Sequence, residues 1–151
     1  MLTFSKTLRI SMLAAALAGS VLATGCSMMG MDKGGMMMSS VALSGAQEVP
    51  PVSTAATGKS TLSIASDRTV SGSVTVAGIN ATAAHIHEAA MGANGPVIVP
   101  FTKTGDMTFS PAAGAKLTDA QYASYLAGNL YVNVHSAANP GGEIRAQLRA
   151  K

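Results

Sequence analysis

The chain has 151 residues, of which 11% are charged and 4% aromatic, with 10 lysines and arginines against 7 aspartates and glutamates and a single cysteine. This length suits one domain of ordinary size, and a single cysteine excludes a disulfide within the chain, so the domain must fold on its hydrophobic core alone. The few aromatic residues and the lack of a basic patch give nucleic-acid binding no support.

The N-terminal 25 residues have the pattern of an export signal. Lys6 and Arg9 form a basic start, and the apolar run ISMLAAALAGSVLA that follows is too short for a transmembrane helix. The run ends in LATGC, and small residues before a lone cysteine resemble the lipobox of bacterial lipoproteins. The resemblance implies cleavage before Cys26 and lipid on that cysteine, which would attach the protein to a membrane. A plain secretory signal cut nearby is the alternative, and it too exports the domain.

The residue after the cysteine bears on the destination of the protein. Ser27 stands where an aspartate would favour retention in the inner membrane. We therefore expect the protein to be located at the periplasmic face of the outer membrane in a bacterial envelope. Without residues 1–25 the chain has eight basic residues against seven acidic ones, so the mature protein is close to neutral. The sequence identifies no protein partner.

Residues 26–40 are predicted to form a flexible tether between the lipid and the domain. The segment SMMGMDKGGMMMSS has no periodicity and is rich in glycine, serine and methionine. Thioethers are soft ligands that suit Cu(I), so an auxiliary copper-collecting role is one interpretation of this composition. A low-complexity linker without ligands is the other. The methionines concerned are Met28, Met29, Met31, Met36, Met37 and Met38.

The folded domain is expected over residues 41–151 and to be all-β. TLSIAS and TVSGSVTVAG alternate apolar and small polar residues, as half-buried strands do, and AAHIHEA, GPVIVPF, NLYVNVHS and GEIRAQL continue in the same style. Residues 41–47 are predicted as the first strand, before the break at Pro50 and Pro51. Glycine, proline and asparagine separate the runs at the short intervals of an antiparallel sandwich of two sheets.

One segment, LTDAQYASYLAGN, differs from the strands and predicts a short helix over residues 119–126. Thr118 stands three residues before Gln121, which is the spacing of a capping box, and Leu117 and Tyr122 are placed as a hydrophobic staple. Gly128 supplies a C-terminal stop. The tyrosines of this helix are expected to pack it onto the sheet.

The three histidines of the chain are the strongest candidates for a site. His85 and His87 project to the same face of a strand, because side chains alternate along it. His135 ends the strand LYVNVHS, on the polar face opposite to Leu130, Val132 and Val134. Three imidazoles on one ion at bonds of about 2 Å suit copper or zinc. The alternative is that the histidines only form hydrogen bonds or face solvent.

A fourth ligand is left open. Met91, four residues after His87, would be a soft ligand that favours copper, whereas Glu88 and Glu143 would be harder ones. Glu88 is the weaker of the two acids, because it faces away from the histidine pair on a regular strand. With three strong ligands, an open position for water or an external ligand is expected.

Three motifs together resemble a known family. The chain carries E-V-P-P near the start of the domain, then H-I-H followed by G-A-N-G-P-V, then Y-V-N-V-H with N-P-G-G-E-I-R-A-Q-L. Over residues 41–149 these are similar to the CHRD domain, a module named after chordin and frequent in bacterial exported proteins. The resemblance implies an antiparallel Greek-key β-sandwich of the immunoglobulin or superoxide-dismutase kind. It implies little about activity.

A more distant similarity is to copper-zinc superoxide dismutases, in which an H-x-H strand and a later V-H strand bind copper. That similarity implies His85, His87 and His135 as copper ligands, and Arg145 resembles an arginine that those enzymes place beside copper. Glu88 is the other residue that we expect near the ligands. The chain lacks their histidine-rich zinc loop, the bridging histidine and the disulfide.

Three functions follow in order of support. The first is a lipid-anchored copper-binding protein of the envelope that stores, sequesters or transfers copper, with zinc as the alternative metal. The second is a non-catalytic structural or interaction module without metal. The third is a superoxide-related copper enzyme. We expect the protein not to be an enzyme, since no serine or cysteine motif accompanies the histidines as a nucleophile–base pair.

Overall fold

A computed structural model describes residues 40–150 of the chain. The predicted signal segment, Cys26 and the six methionines of the tether lie outside the described residues and stay predictions. Within residues 40–150, no helix has the length and apolar character needed to cross a lipid bilayer.

The described part of the chain consists of ten strands, one α-helix and one turn of 3-10 helix at Gly45–Gln47. The α-helix, α1, spans Asp119–Leu126. The strands are β1 Val41–Ser44, β2 Thr57–Ser60, β3 Ser63–Ile64, β4 Val70–Ser71, β5 Val74–Ala77, β6 Ala81–Glu88, β7 Val97–Gly105, β8 Thr108–Pro111, β9 Leu130–Ser136 and β10 Ile144–Leu148.

Eight of the strands form a closed antiparallel barrel in the order β1-β10-β9-β6-β7-β8-β5-β2. The barrel closes because β1 pairs with β2 on one side, Val41 opposite Ser60, and with β10 on the other, Ser44 opposite Arg145. The prediction of an all-β antiparallel domain with one helix is confirmed. The eight strands form one closed sheet, and their packing as a Greek-key sandwich stays a prediction.

Two connections skip strands of the barrel. The chain passes from β5 to β6 across β8 and β7, and from β8 to β9 across β7 and β6. Helix α1 lies in the second of these connections, and the short hairpin β3–β4 lies between β2 and β5. As a result β9 pairs along its length with β6, and this pair carries all three histidines.

The core fills the inside of the barrel. Alternate residues of the central strands point inward, including Ala84 and Ile86 of β6, both 0% exposed. The predicted inward face of β9 is confirmed, since Leu130, Val132 and Val134 belong to the same core cluster.

The first strand is shorter than predicted. It ends at Ser44 rather than at residue 47, because the chain turns at Gly45, whose carbonyl accepts hydrogen bonds from the amides of Glu48 and Val52. A Cβ at Gly45 would lie 2.2 Å from the Val52 carbonyl oxygen, so only glycine permits this turn. The turn places Glu48 beside the barrel.

Helix α1 has the predicted boundaries and caps. The Thr118 hydroxyl accepts from the Gln121 amide, and the Gln121 side chain accepts from the Thr118 amide. At the other end Gly128 has φ +76°, its amide bonds to the Tyr125 carbonyl, and the Asn129 amide bonds to the Ser124 carbonyl. These two bonds make a Schellman motif.

Replacing the N-cap tests how much the capping box stabilises the domain. Thr118→Ala is expected to lower the free energy of unfolding by about 1 kcal/mol, because it removes the acceptor for the Gln121 amide. Urea denaturation measures the change. Thr118→Ser, which keeps the hydroxyl, is the matched control. An unchanged urea midpoint in the alanine variant would contradict a stabilising role of the capping box.

Candidate metal centre

The three histidines lie on the outward side of β6 and β9, which we call the outer face and define as His85, His87, Tyr131, Asn133 and His135. His87 and His135 are only 8% and 9% exposed, so the outer face is buried although it is polar. The loops that follow β6 and β9 cover the outer face, because Gly95 and Pro140 bond to its imidazoles.

Strand pairing brings the imidazoles together. On the outer face His87 is opposite Tyr131 and His85 is opposite Asn133, with His135 two residues further along β9. The ring centres of His85 and His135 are 4.8 Å apart, those of His85 and His87 5.6 Å, and those of His87 and His135 6.0 Å. One ring nitrogen of each lies within 4.8 Å of the others.

Two backbone carbonyls fix which nitrogens are free to bind a metal. His87 Nδ1 lies 2.9 Å from the Gly95 oxygen, and His135 Nδ1 lies 3.0 Å from the Pro140 oxygen. Because a carbonyl only accepts, both Nδ1 atoms carry the proton and both Nε2 atoms present a lone pair. Imidazoles that bind metals are oriented in this way by bonds from their other nitrogen.

His85 completes the group. Its Nδ1 lies 2.9 Å from His135 Nε2, so it donates a hydrogen bond to the lone pair of His135. His87 Nε2 is buried and has no hydrogen-bond partner. A buried nitrogen without a partner is costly, and a metal ion would satisfy it.

The site keeps its imidazoles neutral. Burial, then the neighbouring His135 and His87, lowers the pKa of His85 to about 4. Burial also lowers the pKa of His87 and that of His135, although their bonds to backbone carbonyls work in the opposite direction. At neutral pH the imidazoles are therefore uncharged, and a metal ion can bind their lone pairs without first displacing a proton from an imidazolium.

The spacing fits one ion. Nitrogens bound at about 2.0–2.1 Å to a single tetrahedral or trigonal ion lie roughly 3.3–3.6 Å apart. One nitrogen of each imidazole lies within 4.8 Å of the others in the metal-free site. Side-chain adjustments of about 1 Å bring them to that range, and the donor set suits copper or zinc.

Tyr131 contacts both His87 and Arg145. Its ring stacks on His87 at 4.8 Å and 10°, and the Arg145 guanidinium carbon lies 3.3 Å from its centre. Arg145 is 1% exposed and donates to the Ala93 carbonyl at 2.9 Å and to Asn94 Oδ1 at 3.1 Å. Arg145 therefore supports the loop that carries the Gly95 carbonyl.

The two predicted carboxylate alternatives have other partners. Glu88 accepts a hydrogen bond from Ser124 of α1, and Glu143 accepts from Thr54 at 2.7 Å and from Ser136. In residues 40–150, the histidine, cysteine and acidic side chains that could share a metal ion are the three histidines alone. Met91 is 64% exposed in the loop after β6, and its role as a soft ligand stays a prediction.

A known domain family matches the part of the chain that carries this site. The family model of the CHRD domain matches residues 39–148, which include the whole barrel and all three histidines. The chain belongs to the CHRD family. Comparison with curated proteins and with solved structures gave no match. The CHRD resemblance seen in the motifs is thus confirmed, and the similarity to superoxide dismutases stays an expectation.

Three residues of this CHRD site, Tyr131, Asn133 and Gly95, were not among the predicted site residues. The alternation of Y-V-N-V-H places Tyr131 and Asn133 on the same face as His135, but neither was predicted to take part in the site. Gly95 acts through its backbone, which no side-chain pattern in the sequence reveals. Its carbonyl orients His87, and its amide donates to the Tyr131 hydroxyl at 3.2 Å.

Gly95→Ala tests whether the loop orients the site of the CHRD domain. A Cβ there would lie 1.9 Å from the Glu88 carbonyl oxygen, so the loop must move and the bond to His87 Nδ1 is lost. Metal affinity is expected to fall about 10–100-fold, as when an outer partner of a metal ligand is removed. Gly141→Ala is the matched control, because a Cβ there meets nothing within 4 Å. Equal affinities of the two variants in a competition titration would contradict this role.

Proposed function

We propose that this CHRD protein binds one copper ion through His85, His87 and His135. The observation that carries the proposal is the convergence of the three ring nitrogens within 4.8 Å, with His87 Nε2 buried and unpaired. Histidines with a purely structural role would have their buried nitrogens satisfied by the protein. This unpaired nitrogen is what favours a metal site over an interaction module without metal.

Copper is preferred to zinc because of the rest of the chain. Imidazoles bind either ion, but thioethers select Cu(I), and the predicted tether contains six methionines. We propose that the tether collects copper and that the barrel stores it, sequesters it or passes it on. The predicted lipid on Cys26 would hold the protein at the periplasmic face of the outer membrane.

The proposed role is binding rather than catalysis. The three histidines bond to one another or to backbone carbonyls, so none is paired with a hydroxyl or thiol as the base of a nucleophile. A superoxide-related activity is the less supported alternative. The Arg145 guanidinium packs on the Tyr131 ring and donates its hydrogen bonds to Ala93, Asn94 and Gln147 rather than to a histidine.

Titration of the mature protein with Cu(I) and with Cu(II) tests the proposal. We expect one tight equivalent of copper that persists in a variant whose six tether methionines are replaced by leucine. Zinc competition measures the preference between the two metals. Binding no tighter than that of a short peptide with the sequence HIH would overturn the proposal and leave the interaction module as the better account.

A further inference from the structure

The buried side-chain atoms that lack a hydrogen-bond partner occur together. In the described range 40–150 they are Glu48 Oε1, His87 Nε2 and Asn133 Oδ1. Buried polar atoms without a hydrogen-bond partner are rare in folded proteins, and each one calls for a structural or functional explanation. The proposed metal explains His87 Nε2 but does not by itself explain the other two.

Asn133 lies in the middle of the outer face. It is 2% exposed, it is opposite His85 in the β6–β9 ladder, and its neighbours on the same face of β9 are Tyr131 and His135. Residues directly opposite one another in such a ladder have Cβ atoms about 4.5–5.5 Å apart. Asn133 is therefore the residue of β9 directly across from His85, between Tyr131 and His135 on the outer face.

The amide of Asn133 has a defined direction. Burial raises the pKa of Glu48 to about 7, and the Arg145 charge and the Asn133 amide counteract that rise. Asn133 Nδ2 donates a hydrogen bond of 3.5 Å to the Gly141 carbonyl, whereas Asn133 Oδ1 is buried and has no partner. The NH₂ group of Asn133 thus faces the loop of Gly141, and the carbonyl oxygen is the atom left to bind an ion.

Gly142 leaves room for this arrangement. A Cβ at Gly142 would lie 2.6 Å from Asn133 Nδ2 and 2.6 Å from Glu48 Oε1. The carboxylate and the amide thus meet over a position where no side chain fits. Glu48 comes from the E-V-P-P motif, Asn133 from Y-V-N-V-H and Gly142 from N-P-G-G-E-I-R, so this contact joins motifs that the three histidines leave unexplained.

We propose that Asn133 Oδ1 is the fourth donor of the metal centre, and that Glu48 is a positioning residue that holds the Asn133 amide in the required direction. This inference rests on the proposed function, since it needs an ion at the histidines. It gives the centre a donor set of three imidazoles and one carbonyl oxygen. A hard oxygen stabilises Cu(II) and Zn(II) more than Cu(I), so Asn133 sets which oxidation state the barrel holds best.

Asn133→Leu, which has a similar volume and no oxygen, is the direct test in the mature full chain. Cu(II) affinity is expected to fall at least about 10-fold, with a changed electron paramagnetic resonance spectrum, while Cu(I) affinity stays within about 2-fold. Glu48→Gln is expected to change the spectrum in the same direction by a smaller amount, which a purely structural role would not do. A wild-type spectrum and wild-type Cu(II) affinity in Asn133→Leu would overturn the inference.

A second measurement uses the unaltered protein, so it does not depend on a variant that folds. Addition of Zn(II) is expected to shift the side-chain amide signals of Asn133 more than those of Asn94 and Asn139 in a nuclear magnetic resonance titration. Signals of Asn133 that stay in place while the histidine signals move would overturn the inference and leave the proposed function standing. Histidine signals that do not move would instead contradict the proposed function.

Discussion

His135→Ala is expected to lower copper affinity by more than about 100-fold, the largest effect of any single change on binding. The substitution removes one of three imidazoles and also the acceptor of the His85 Nδ1 hydrogen bond. Loss of a residue that merely orients a ligand costs about 10–100-fold, so loss of the ligand itself must cost more. Competition with a chelator of known copper affinity measures the change.

The chain offers a clean control for this experiment. It contains three histidines in all, so no other imidazole can replace the one removed. Thr118→Ala, which weakens a helix cap and leaves the histidines untouched, shows whether a general loss of stability affects binding. Wild-type affinity in His135→Ala would contradict the three-histidine site, even if copper still bound elsewhere on the protein.

The parts of the fold that sequence predicted are those set by local interactions. Helix α1 was found with its correct limits because its caps use residues within the segment itself, such as Thr118 and Gln121. Closure of the barrel depends on β1 pairing with two strands that are distant in sequence, and no local pattern encodes that pairing. Strands β2 and β8 were missed because TGKS and TFSP are short and show little alternation.

The candidate site, too, was predicted only in part. Alternation along a strand placed His85 and His87 on one face, and the inward valines of β9 placed His135 on the outer face. The burial of that face could not be predicted, because it depends on loops that bond to the imidazoles through Gly95 and Pro140. The proposed role of Asn133 could not be predicted either, because it depends on the folded position of Glu48, which lies 85 residues earlier in the chain.

Glu48→Gln is expected to make the metal-free domain more stable at pH 8, by up to about 3 kcal/mol. The pKa of Glu48 is raised from 4.5 to about 7, mainly by burial, and each unit of such a shift corresponds to about 1.4 kcal/mol. Because the folded-state value is the higher one, the contribution of Glu48 is fully present below pH 4.5 and is lost as the pH rises through 7. The gain from glutamine should therefore vanish at pH 4, and urea denaturation at both pH values measures it.

Glu143→Gln is the matched control, and the opposite sign is expected for it. Hydrogen bonds from Ser136 and Thr54 lower the pKa of Glu143, so its charge stabilises the fold above pH 4.5 and glutamine should destabilise the domain at pH 8. Destabilisation by Glu48→Gln at pH 8 would show that its carboxylate has partners that offset its burial.

If the expected gain in stability is found, Glu48 is a residue that weakens the metal-free barrel. The orientation of Asn133 then supplies the physical reason for a carboxylate at this position, because the more stable glutamine variant should hold Cu(II) less well.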